Sequence, residues 1–132
     1  MSSIKNYLSL IKFSHTIFAM PFAMIGFFLA VFKPPFLYGR KAAGSLAEYF
    51  ANNHLLEKLV LVIACMVLAR SAAMAFNRYL DRHFDARNPR TAIREIPAGI
   101  ISADRALVFT IVSSVLFVAV CWLINPLCFW LS

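Results

Sequence analysis

Residues 59–85 read LVLVIACMVLARSAAMAFNRYLDRHFD, an apolar segment that runs directly into a polar one. Within residues 59–76 the only charged side chain is Arg70. At about 1.5 Å per residue, a helix of this length can cross the hydrocarbon core of a bilayer. The polar residues from Asn77 onwards then leave it. This pattern predicts a spanning helix over 59–76 that continues into a connection at the membrane border.

Two other segments have the same character. Residues 13–32 and 106–124 contain no Lys, Arg, Asp or Glu, and the chain becomes apolar again after Pro126, as at the start of a fourth span. The composition agrees, with 61% hydrophobic and 14% charged residues, a balance that excludes disordered chains and most soluble domains. We therefore predict an all-α membrane protein, with one domain over 1–132 that contains about three transmembrane helices and the start of a fourth.

The charge distribution predicts the orientation. The chain has 13 basic and 6 acidic residues, and six of its arginines lie between Arg78 and Arg105, inside the connection 77–105. Because basic residues concentrate on the cytoplasmic side of membrane proteins, we place the N-terminus and this connection there, in what we expect to be a bacterial inner membrane. This interpretation is favoured over nucleic-acid binding. The first apolar run is longer than a signal-peptide core, so we expect it to be retained as a span.

Three oxygen-bearing side chains recur at every fourth position, as Asn77, Asp81 and Asp85. On a helix, successive members of such a series differ in direction by only about 40°. Arg70 points the same way, about two turns deeper in the membrane. The sequence therefore places an arginine and three oxygen ligands on one helix face at the membrane border.

This set of groups suits a metal-bridged diphosphate. Carboxylate and amide oxygens are ligands for Mg²⁺, which keeps several waters and commonly bridges to substrate phosphates. An arginine at membrane depth needs a partner, and a phosphate oxygen matches its planar fork. The alternative is that the three residues form the solvated start of a loop and pair with Arg78 and Arg82. The three cysteines show no metal-binding spacing, and we interpret them as buried thiols.

Residues 69–102, ARSAAMAFNRYLDRHFDARNPRTAIREIPAGIIS, resemble the first signature of the UbiA superfamily of intramembrane prenyltransferases, especially its 4-hydroxybenzoate polyprenyltransferase branch. The resemblance includes the NxxxDxxxD run at Asn77, Asp81 and Asp85, the preceding Arg70, and an RTxxR element that contains Arg90 and Arg94. Residues 10–30, LIKFSHTIFAMPFAMIGFFLA, are similar to the first helix of that branch.

The resemblance implies a fold and a set of site residues. The fold is a bundle of nine transmembrane helices, of which this chain would form the N-terminal portion. Asn77, Asp81 and Asp85 would bind Mg²⁺, and Arg70, Arg90 and Arg94 would bind the diphosphate. Lys12 and His15 lie where the family recognises the acceptor. The family's second aspartate motif is absent here, so we expect a fragment that is inactive alone.

The implied function is that the full-length protein transfers a polyprenyl group from polyprenyl diphosphate to an aromatic acid, with 4-hydroxybenzoate as the favoured acceptor, in ubiquinone or menaquinone biosynthesis. Mg²⁺ is the expected cofactor and the bilayer the expected environment, without nucleic acid. Two alternatives stay open. The acceptor could be a dihydroxynaphthoate, a homogentisate or haem. A non-enzymatic three-span protein could instead use its arginine-rich connection to hold anionic lipid or a protein partner.

Overall fold

The computed structural model describes residues 2–31 and 54–132, and all regular structure within these ranges is helical. The prediction of an all-α protein is therefore confirmed. The predicted end of the first span, residue 32, lies outside the described residues. The helices are α1 (Ser2–Leu10), α2 (Phe13–Val31), α3 (Leu55–Arg87), α4 (Ala103–Ile124) and α5 (Pro126–Leu131).

Helices α3 and α4 are each long and apolar enough to cross a membrane. With 33 residues, α3 is about 50 Å long and extends beyond any bilayer core. Its last turns, from Asn77 to Arg87, form the polar extension predicted from the sequence. The two helices pack along each other and form the most extensive helix pair in the described residues.

The start of α4 is marked by local signals. The Ser102 side chain accepts a hydrogen bond from the backbone N–H of Arg105 at 3.4 Å, and Asp104 lies in the first turn. The hydrogen bond satisfies one of the free N–H groups at the helix N-terminus. The negative charge of Asp104 interacts favourably with the positive end of the helix dipole. They fix the point at which the polar connection ends and the apolar helix begins.

Helices α1 and α2 are separated by a sharp break. Their axes differ by 62°, and Lys12, between them, has a φ of 46°. Taken together the two helices qualify as one bent span, which gives two or three candidate spans among the described residues. Pro21 lies inside α2 without ending it, so the break is not at the proline.

A small apolar core joins α1, α3 and α4 at one end of the molecule. It contains the buried side chains of Leu10, Ile11, Ala75, Ile101 and Ala106. The two alanines are fully buried, which lets the helix backbones approach closely. Because Ala75 ends the apolar part of α3 and Ala106 begins that of α4, this core lies at the polar end of both helices.

The thiols of Cys65 on α3 and Cys121 on α4 are only 3.4 Å apart. All three cysteines are free, and Cys121 is buried whereas Cys65 and Cys128 are half-buried. The contact provides a direct test of how α3 and α4 are aligned along their length.

We expect dibromobimane, which becomes strongly fluorescent when both of its arms react with thiols, to bridge Cys65 and Cys121 in the membrane-embedded protein. Cys128→Ser is the matched control and should keep the signal. Cys65→Ser should lose it. A signal that depends on Cys128 instead would contradict the alignment of α3 and α4 described above.

Candidate functional site

The polar end of α3 carries the series Asn77, Asp81 and Asp85 on one uninterrupted helix. Because the helix is continuous from Arg70 to Asp85, Arg70, Asn77 and Asp81 share a face, as the spacing predicted. Asn77 and Asp81 are exposed. Neither side chain forms a hydrogen bond or an ion pair within the described part of the chain, so both are available to a ligand.

Asp85 differs from the other two members of the series because it is buried, with 6% of its surface exposed. It lies at the edge of the α3 face that is packed against the rest of the protein, together with Ser71, Ala75 and Arg78. The structure therefore separates the series into two exposed members and one buried member. The spacing alone did not indicate this difference.

The carboxylate of Asp85 is paired with Arg94. The Nη1 atom of Arg94 donates to Asp85 Oδ1 at 2.7 Å and to Oδ2 at 2.8 Å. Asp85 lies nine residues beyond Phe76, outside the apolar part of α3. Burial opposes its ionisation, but the hydrogen bond from Arg94 and the positive charges of Arg94 and Arg78 outweigh that effect and lower the pKa of Asp85.

The connection after α3 folds back because its turn residues bond locally. The carbonyl of Asn88 accepts hydrogen bonds from the N–H groups of Thr91 and Ala92, each at 2.9 Å, and the Asn88 side chain accepts from the N–H of Arg90 at 3.0 Å. Asparagine side chains commonly stabilise turns in this way. The hydroxyl of Thr91 also donates to the backbone carbonyl of Asp85 at 3.1 Å. Together these bonds return Arg94 to Asp85.

The two arginines predicted to bind diphosphate, Arg90 and Arg94, occupy different environments. Arg94 is half-buried on Asp85, whereas Arg90 is exposed. The structure thus brings Arg94 to Asp85, a member of the predicted metal-binding series, and leaves Arg90 at the surface of the connection.

Arg70 lines a pocket of about 470 Å³ between α2 and α3. Its Nε atom is buried and has no hydrogen-bond partner among residues 2–31 and 54–132, so within this part of the chain the guanidinium keeps an unused donor. The other lining residues all belong to α2 and are Ser14, His15, Phe18, Ala19 and Phe22. The pocket thus joins His15, a predicted acceptor residue, to Arg70. Lys12 is exposed at the α1–α2 break and does not line it.

Two residues that take part in these contacts were not among the site residues predicted from the sequence. Arg78 is 8% exposed, and its Nη1 atom is buried without a hydrogen-bond partner in the described residues. Arg78 is seven residues from both Ser71 and Asp85, so all three lie on one face of α3. This spacing is the feature of the sequence that could have indicated the burial of Arg78. Glu95 accepts a hydrogen bond from the hydroxyl of Ser9 and so ties the connection to α1. That contact has no local sequence signal, because 86 residues separate the partners.

The donor set at the polar end of α3 fits magnesium better than a softer metal. Asn77 and Asp81 offer an amide and a carboxylate oxygen, and Mg²⁺ takes its remaining ligands from water and phosphate. In the described ranges, no group of three His, Cys, Asp or Glu side chains is arranged to hold a metal ion by itself. The site therefore fits a metal ion that arrives with a phosphorylated ligand.

Comparisons with known proteins place these residues in a family. Residues 19–132 match the UbiA prenyltransferase family. The protoheme IX farnesyltransferase of Acidiphilium cryptum is 40% identical over 108 residues, which cover 80% of this chain and 33% of that protein. The 4-hydroxybenzoate octaprenyltransferase of Pectobacterium carotovorum is 36% identical over 74 residues, which cover 56% of this chain and 26% of that protein.

The chain thus spans about a third or less of the length of these relatives. No solved structure matches it. The family match covers α3, the connection and α4, which together carry Asn77, Asp81, Asp85 and Arg94. The chain belongs to the UbiA prenyltransferase family.

Proposed function

We propose that the full-length protein transfers a polyprenyl group from its diphosphate to the ring of 4-hydroxybenzoate. The observation that carries this proposal is the shared face of α3, on which exposed Asn77 and Asp81 lie above Arg70 and the α2–α3 pocket. A diphosphate bound at the polar end would place its isoprenoid tail towards the bilayer. Each buried CH₂ of that tail contributes about 0.8 kcal/mol.

The residues of α3 have separate tasks in this reaction. Asn77 and Asp81 would hold Mg²⁺, which neutralises charge on the leaving diphosphate when it is bound. Arg70 adds a fixed positive charge two turns deeper, where its unpartnered Nε can donate to a phosphate oxygen. The allylic C–O bond then breaks, a ring carbon forms the new C–C bond, and the ring loses a proton.

Asp85 and Arg94 would act as a pair. In the structure Arg94 binds Asp85 and holds the connection against α3. We propose that Arg94 exchanges this carboxylate for a diphosphate oxygen when substrate binds, which would free Asp85 to help hold Mg²⁺ with Asn77 and Asp81. Arg90, exposed four residues earlier in the connection, would approach the same diphosphate from the aqueous side.

The α2–α3 pocket is the proposed acceptor site. Phe18 and Phe22 can pack against an aromatic ring, and His15 and Arg70 can bind its polar groups. The exposed Lys12 would attract a carboxylate from the aqueous side. Water must be kept from the reacting carbon, because an allylic cation in water would be hydrolysed. A site within the bilayer achieves this.

Protoheme is the second candidate acceptor, because the Acidiphilium cryptum relative named for that substrate matches more of this chain than the octaprenyltransferase does. Both acceptors carry carboxylates, so the positive charge of Arg70 suits either. The α2–α3 pocket therefore supports an aromatic acceptor without distinguishing the two.

The experiment that distinguishes them is a product assay with the full-length protein in membranes, given a labelled polyprenyl diphosphate and one acceptor at a time. We expect prenylated 4-hydroxybenzoate, formed only in the presence of Mg²⁺. If 4-hydroxybenzoate gave no product and protoheme, a dihydroxynaphthoate or homogentisate did, the proposed acceptor would be wrong and the one that reacts would replace it. A lack of product and of diphosphate release with every acceptor would contradict the proposed activity.

A further inference from the structure

Helix α1 lies across the polar ends of the spanning helices. Leu10, its last residue, and Ile11, which follows it, are buried in one cluster with Ala75 of α3 and Ala106 of α4. The ring of Tyr7 packs 5.2 Å from that of Phe109 on α4. Since Ala75 and Ala106 mark the border between the apolar and polar parts of their helices, α1 lies at the depth of the membrane interface.

The orientation of α1 agrees with this depth. The 62° bend at Lys12 turns α1 away from the direction of α2. If α2 crosses the bilayer near its normal, α1 is closer to the membrane plane than to the normal. The hydrogen bond from Ser9 to Glu95 also fastens α1 to the connection on the polar side.

The two faces of α1 differ. The inner face is packed into the core through Tyr7 and Leu10. We call Ile4, Lys5 and Leu8 the outer face of α1, and all three are exposed, Ile4 by 71% and Leu8 by 38%. Two apolar side chains one turn apart beside a lysine are typical of a helix that lies in the membrane interface.

The two charged side chains of α1 and of the break that follows it, Lys5 and Lys12, are both positive. The first acidic residue of the chain is Glu48, so residues 1–47 contain no carboxylate side chain. Lys5 and Lys12 are both exposed, and neither forms an ion pair with another described residue. Lysine stems can follow an apolar surface while their ammonium groups reach lipid phosphates.

We infer that α1 is an interfacial anchor whose outer face inserts Ile4 and Leu8 into the acyl boundary, while Lys5 and Lys12 bind the headgroups of anionic phospholipids. The inference concerns lipid binding, and its tests measure membrane depth and lipid charge without measuring prenyl transfer. Anionic lipid fits because the unpartnered lysines lie at the depth at which headgroup phosphates are found. The anchor would hold the end of α2, and with it His15, at a fixed depth.

The first test measures where the outer face lies. In the full-length protein without native cysteines, Ile4→Cys and Leu8→Cys are labelled with the environment-sensitive dye NBD and placed in phosphatidylcholine/phosphatidylglycerol vesicles. We expect quenching by a nitroxide attached near the lipid glycerol. Ala86→Cys, exposed in the last turn of α3, is the control and should be quenched by aqueous iodide instead. Protection of residues 4 and 8 from both quenchers would show that protein covers this face and would overturn the inference.

The second test measures the lipid charge. Removing both lysines with Lys5→Gln and Lys12→Gln should weaken the effect of phosphatidylglycerol on the NBD signal at residue 8 by about fivefold for each lysine. Lys58→Gln, an exposed lysine in the first turn of α3, should leave it unchanged. If the protein that keeps both lysines gives the same NBD signal at residue 8 in neutral and anionic vesicles, headgroup binding is refuted.

Discussion

Asp81→Ala in the full-length protein is expected to lose nearly all prenyl transfer, by at least about 100-fold, because it removes charge stabilisation from the leaving diphosphate. Asp81 is exposed and has no hydrogen bond or ion pair in the part of the chain that the structure describes. Its removal should therefore leave folding and membrane insertion intact. Turnover at saturating prenyl diphosphate and Mg²⁺, measured beside the thermal unfolding midpoint, tests both statements.

Asp104→Ala is the matched control for Asp81→Ala. Asp104 is also an exposed aspartate at the polar end of a spanning helix, but it lies in the first turn of α4 and not on the face of α3 that carries Arg70. We expect turnover within about twofold of the unmodified protein, as for most surface substitutions. Normal turnover of purified Asp81→Ala would rule out the proposed metal role.

Asp85→Ala is expected to have a different effect, because Asp85 is a structural partner in the absence of substrate. Removing it leaves the half-buried guanidinium of Arg94 without its carboxylate. The free energy of unfolding should fall by about 1.5–3 kcal/mol, the contribution of a hydrogen bond to a charged group. Unfolding in mixed micelles measures this, and activity should fall as well. Unchanged stability would contradict the pairing.

A double-mutant cycle isolates the pair. Asp85→Ala combined with Arg94→Ala should destabilise the protein by less than the sum of the single changes, because the double variant leaves no unpaired charge. Arg82→Ala is the control, since among the described residues Arg82 interacts only with Tyr79: it donates to the Tyr79 carbonyl at 2.6 Å and lies over the Tyr79 ring.

Because the folded pKa of Asp85 is lowered, the pair of Asp85 and Arg94 should stabilise the protein above the ordinary aspartate pKa of about 3.9. This stability is lost as the pH falls through the folded value.

The main features of the fold follow from local patterns that the sequence displays directly. Apolar runs of about the length that a helix needs to cross the hydrocarbon core predict spanning helices, and α3 and α4 confirm that expectation. The four-residue spacing of Asn77, Asp81 and Asp85 implies a common face as soon as the helix is continuous, because helical periodicity depends only on neighbouring residues. The family could be identified for the same reason, since its signature is a continuous stretch.

Other features depend on which surfaces meet, and a helical spacing contains no information about that. The burial of Asp85 follows from a turn at Asn88 that returns Arg94 to α3. The pocket joins His15 to Arg70 across 55 positions of the chain, and Ser9 reaches Glu95 across 86. Helical periodicity therefore established the shared face of α3. The packing of α1, α2 and the connection against α3 decided which of its side chains are paired, which line the pocket and which are free for a ligand.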